Sequence, residues 1–138
     1  ESAIEEPNVI ELANSVKIKC TNLNYLNTRT KSNRILMMEM ISLYLEQTPP
    51  LINAMKQSMF DKDWKSLQAT VHKIIPSFSI MGISADYENL ARQVQEFAST
   101  QQQTEGISEM VMQLEKVCLQ ACDELIVEFN IIKNNTNE

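Results

Sequence analysis

Apolar side chains return every three or four residues through four long stretches of this 138-residue chain. That is the period of a helix, not of a strand. Ile35, Met38, Ile41, Leu45, Ile52, Met55 and Met59 mark the first stretch, 33–60. Trp64, Leu67, Val71, Ile74, Phe78 and Met81 mark the second, 64–81. Tyr87, Leu90, Ala91, Val94 and Phe97 mark the third, 84–99. Ile107, Met110, Val111, Leu114, Val117, Cys118, Ala121, Leu125 and Phe129 mark the fourth, 105–132. Asp63 is placed to cap the second helix, and Gly82 to end it. Pro49-Pro50 interrupts the first stretch, which predicts either a kinked helix or a new helix capped by Thr48 with Pro49 at its first position.

The predicted fold is therefore all-α, an up-down-up-down four-helix bundle over 21–133. A short helical N-terminal extension, 1–20, precedes it, and a polar tail, 134–138, follows. Within the extension, Asn8 is placed to cap a short helix to about Ser15, with Val9, Leu12, Ala13 and Val16 on one face. Thr21 to Leu26 reads as a capped short helix that delivers Tyr25 and Leu26 to the core. The stretches 27–33 and 101–104 read as polar connectors.

Composition narrows the function. Two glycines leave no room for a Gly-rich phosphate cradle, and one histidine excludes zinc sites that need two. A net charge of −6 argues against nucleic acid as a partner. No apolar run approaches the roughly 20 residues of a membrane span. The chain begins at Glu1 with no initiator Met or signal-like segment, which reads as an excised domain or a processed product. Three cysteines, Cys20, Cys118 and Cys122, are an odd count and read as reduced thiols. Cys118 and Cys122 read as buried small hydrophobes rather than metal ligands, because no second pair completes a tetrahedral site.

The single histidine is the residue with chemistry to offer. On a wheel of about 100° per residue, His72 stands roughly 120° from the centre of the apolar face of its helix. It shares a stripe with Lys65, Gln68, Ala69, Pro76 and Ser79. The imidazole should therefore lie near the surface among compact neighbours, open to approach by another protein. A neutral imidazole is a competent nucleophile near neutral pH. Gln68, one turn earlier, is placed to orient the ring. On spacing alone, a lone helical histidine is more often an ordinary surface residue.

The run Thr70-Val71-His72-Lys73-Ile74-Ile75-Pro76-Ser77-Phe78-Ser79-Ile80-Met81-Gly82 resembles the signature of histidine phosphotransfer (HPt) domains. Ile74, Ser77, Ser79 and Gly82 match the family pattern after the histidine. Leu43 to Pro49, Phe60 to Trp64 and Leu23 to Leu26 resemble its flanking segments, so the likeness spans about Thr21 to Ile132. The resemblance implies that His72 accepts a phosphoryl group from a receiver-domain aspartate and passes it to another. Such a module is a transfer intermediate without kinase activity of its own.

Further expectations follow from the same resemblance. Gln68, Lys73 and Lys65 are expected to support the site. Ala69, Ile75, Pro76, Ser79, Gly82 and Met38 are expected to form or flank the docking surface. No cofactor is expected on this chain, the Mg²⁺ belonging to the receiver. The expected setting is a cytoplasmic monomer, as a domain of a membrane-bound hybrid sensor kinase. Two residues depart from the pattern. Ile75 stands where the family usually has a lysine beside the phosphorylated ring, and Pro76 replaces a common glycine. The alternative is a non-catalytic helical adaptor that docks receiver domains or other proteins.

Overall fold

A computed structural model describes residues 18–102 and 104–136. The helix expected from Asn8 lies outside the described residues. Among the described residues five helices follow in order: α1 (Asn24–Arg29), α2 (Arg34–Asp61), α3 (Trp64–Ile80), α4 (Ala85–Thr100) and α5 (Thr104–Thr136). No strand occurs among the described residues. The long helices close a ring, with α2 against α3 and α5, and α4 against α3 and α5. Short links make neighbours antiparallel, so the bundle is up-down-up-down. No described helix is long and apolar enough to cross a membrane.

Side-chain caps start α2, α3 and α4, with Asp63 in its expected place, whereas α1, expected to be capped, begins after Leu23 without one. Asn33 accepts from the Leu36 amide, Asp63 from the Ser66 amide and Ser84 from the Asp86 amide. Each satisfies a backbone donor that the first helical turn leaves open. Proline does not break α2. The helix runs unbroken through Pro49 and Pro50, both exposed, while Thr48 is buried in the core. The prolines' missing amides thus fall on the solvent face, where water can serve the freed carbonyls. The alternative of a second helix starting after Thr48 does not hold.

Leu26, Ile41, Met55, Leu67, Val71, Phe78, Val94, Ile107, Leu114, Cys118 and Leu125 fill the core. Tyr25 does not join them. It is 46 % exposed, under the Arg29 guanidinium at 5.8 Å from the ring centroid. The C-terminal helix also runs further than its apolar pattern, to Thr136, so much of the expected tail is helical. Arg34 helps there, donating to the Asn135 carbonyl at 2.9 Å. Burial pushes the Cys20 and Cys118 thiols up to about 12, and raises Cys122 as well. All three therefore stay protonated at neutral pH.

Two features hold the helix that carries His72. Its end is a Schellman turn, in which the Ile83 amide donates to Phe78 O at 2.8 Å and the Gly82 amide to Ser79 O at 3.3 Å. Gly82 takes φ +70°, the left-handed conformation this turn needs. The lead-in before α1 then crosses this turn, with the Asn22 amide donating to Met81 O at 2.9 Å. The lead-in itself is fastened to α5 by one carboxylate. Glu124 accepts from the Cys20 amide at 2.9 and 3.1 Å, the Thr21 amide at 3.0 Å and the Thr21 hydroxyl at 2.6 Å.

Candidate functional site

His72 lies midway along α3, on the solvent side of a helix whose Thr70, Val71, Ile74, Ile75 and Phe78 are buried. Ala69, Pro76 and Ser79 are exposed beside it. These three side chains are short or compact, so the imidazole stands clear of them. Ser79 turns its hydroxyl back to the Pro76 carbonyl at 3.4 Å. Pro76 cannot donate to the carbonyl of His72. The helix nevertheless continues to Ile80.

The ring is oriented from the neighbouring helix and not by Gln68. The side-chain amide nitrogen of Gln95, on α4, lies 3.2 Å from His72 Nδ1. A primary amide suits either imidazole tautomer. Its oxygen accepts from a protonated Nδ1, and its nitrogen donates to a bare one. With Nδ1 engaged by Gln95, Nε2 is the nitrogen left for an incoming group. When the amide oxygen faces Nδ1, the proton stays there and Nε2 carries the free lone pair. Gln95 was not foreseen from the sequence, since the helical period places residues on faces but does not say which turn of α4 meets which turn of α3.

Other expected site residues scatter. Lys65 is exposed two turns before His72 on α3. Lys73 lines a groove between α2 and α3 with Met40, Leu43, Tyr44 and Ser77, on the side away from Gln95. Ile75 is 6 % exposed and belongs to the core, so it adds little to a docking surface. It sits at the edge of the apolar face, where α4 covers α3. Met38 lines a separate groove with Ile35, Glu39, Ser42 and Phe129, between α2 and α5. It is thereby removed from the face that carries His72. Gly82 lies under the Asn22 backbone, as a structural joint rather than a contact surface. The described residues include no group of three or more side chains suited to hold a metal ion.

Gln95→Leu is expected to leave the bundle folded and to free the ring. The ¹⁵N shifts of the His72 nitrogens should then move toward the tautomer mixture of an unrestrained histidine. Unchanged shifts would show that Gln95 does not set the ring.

No family model matches the chain. No curated protein matches it either. Among solved structures it is similar to the HPt domain of the Hpt sensor hybrid histidine kinase from Shewanella, with TM-score 0.69 and 14 % sequence identity. The match covers 80 % of this chain and 94 % of that one. At that identity the likeness speaks for the fold alone, and the four-helix arrangement of this chain resembles that of the HPt domain.

Proposed function

We propose that this domain is a histidine phosphotransfer module of a two-component phosphorelay, with His72 as the phosphoryl acceptor. The observation that carries the reading is the exposed imidazole held at Nδ1 by Gln95, above the compact surface of Ala69, Pro76 and Ser79. The fold likeness supports the same reading. The partners are receiver domains. The acidic active site and Mg²⁺ needed to activate an aspartyl phosphate belong to them.

The chemistry asks little of this chain. The Nε2 lone pair attacks the phosphorus of the receiver's aspartyl phosphate. The N–P bond forms as the P–O bond to the carboxylate breaks, and the aspartate leaves with that electron pair. The ring becomes a phosphorylated imidazolium, and its remaining proton stays on Nδ1, where the Gln95 amide accepts it once it turns its oxygen to the ring. The reverse sequence hands the group to a second receiver. Rate comes from positioning the nucleophile in line with the leaving oxygen, and from stabilising charge on the equatorial oxygens.

His72→Gln tests this directly. A phosphorylated receiver should label the wild-type domain with an acid-labile phosphate and leave the variant unlabelled. Equal labelling of both would overturn the proposal. The adaptor reading has its own support, because the helical position after Lys73 and Ile74 holds the buried Ile75 and no cation. It predicts receiver binding that survives His72→Gln, with no label on either protein.

A further inference from the structure

A phosphoryl group on His72 adds nearly two negative charges at neutral pH, and a nearby cation lowers the cost of holding them. On α3 itself no cation is well placed. Ile75 is buried, and Lys73 turns toward α2. Lys65 stands two turns back, roughly 10 Å along the helix axis.

The neighbouring helix offers one. The Gln95–His72 contact fixes the register of the antiparallel pair α3 and α4. Three residues forward on α3 is Ile75, and three residues back on α4 is Arg92, so these two stand at the same level. Arg92 lies on the side of α4 that carries Gln95, about 60° further from the core. Its side chain is 59 % exposed and bonded to Glu88 at 2.6 Å. Glu88 precedes Arg92 by four residues on the same helix, the spacing of a weak, exchangeable surface pair. A guanidinium is a planar fork that suits phosphoryl oxygens as well as a carboxylate.

We propose that Arg92 is the cation that holds the phosphoryl group on His72, giving up Glu88 as the group arrives. The inference rests on the phosphotransfer reading above. Glu88 then serves as the resting partner of Arg92 and competes with the phosphoryl group for it. This assigns opposite effects to the two halves of one ion pair.

The test loads the domain chemically with phosphoramidate, which needs no receiver. His72 is the only histidine, so the phosphohistidine signal is unambiguous. In ³¹P titrations, Arg92→Gln should raise the second ionisation of the phosphoryl group by about half a unit, equivalent to about threefold. Glu88→Gln should lower it, and Arg92→Lys should restore most of the wild-type value. With a receiver present, Arg92→Gln should shift the equilibrium share of phosphoryl away from His72 by about threefold, and Glu88→Gln toward it. Titrations that do not move in either variant would overturn the role of Arg92, whatever the receiver does. Titrations that move as stated, with no transfer from any receiver, would uphold Arg92 as a phosphoryl-binding residue and overturn the relay reading instead.

Discussion

Gly82→Ala is expected to lower stability by about 4 kcal/mol, enough to drop the melting temperature by roughly 15 °C in a chain of this size. A left-handed backbone costs an alanine only about 1 kcal/mol. The larger cost is contact. A Cβ at this position would overlap the Asn22 carbonyl oxygen and stand 2.8 Å from its carbonyl carbon. Both are backbone atoms, with no rotamer to turn. Neither chain can retreat freely. Asn22 is bonded to Met81 O, Thr21 to Glu124, and Ile83 to Phe78 O. Relief therefore means giving up the lead-in, its hydrogen bonds and part of the burial of Leu26 behind it. Gly106→Ala supplies the control, since nothing lies within 4 Å of the Cβ position there. That exchange should be neutral or stabilising by up to about 1 kcal/mol, from helix propensity alone. Urea unfolding of the two variants decides the matter. A loss below about 1 kcal/mol for Gly82→Ala would mean that the crossing is looser than its geometry requires.

The same residue shows what the sequence can and cannot convey. That Gly82 ends a helix is visible from its place after Met81, because helix termination is local. That it lies beneath Asn22 is not visible, because the crossing joins segments about sixty residues apart. The long helices are legible for the same local reason: each must bury one stripe, and the stripe repeats with the helix turn. Pro49-Pro50 leaves a kinked helix and a new helix both open in the sequence, because a proline breaks a helix only where its lost hydrogen bond cannot be replaced. On the exposed face of α2 water replaces it. Tyr25 misleads because six residues of helix make too short a stripe to fix a phase. At the site, the exposure of His72 follows from its angle on α3. Its partner does not. Gln95 meets His72 only through the register of two packed helices, which no single helix's pattern encodes. The burial of Ile75 depends on the same packing.

The second large effect is expected at Glu124. Glu124→Ala removes the acceptor for the Cys20 amide, the Thr21 amide and hydroxyl, and the Gln120 side chain. Thr21 is buried, so its donors are left poorly served by water. Leaving such donors unpaired costs about 3 kcal/mol in all, given some entry of water. Burial by itself would raise the Glu124 carboxyl. The bonds from Thr21, Cys20 and Gln120 outweigh it and hold the carboxyl below its ordinary value of 4.5. The sign of the pH effect follows. A carboxyl lowered in the folded state binds protons more readily in the unfolded chain, so stability rises with pH. The contribution is complete above the ordinary carboxylate range and is lost as pH falls through the lowered folded value. Glu124→Gln keeps the shape and one acceptor oxygen but removes this linkage. Wild type should therefore exceed Glu124→Gln in stability at pH 7, and the two curves should converge in acid. A gap that stays constant from neutral to acid pH would show that the carboxylate charge does not fasten the lead-in. In Glu124→Ala, amide exchange should quicken first at Asn22 and Ile83, where the lead-in crosses the end of α3. The Gln95–His72 contact lies two to three turns away on the body of the bundle and should keep its imidazole shifts, so the fastening of α3 and the setting of the His72 ring are separable by mutation.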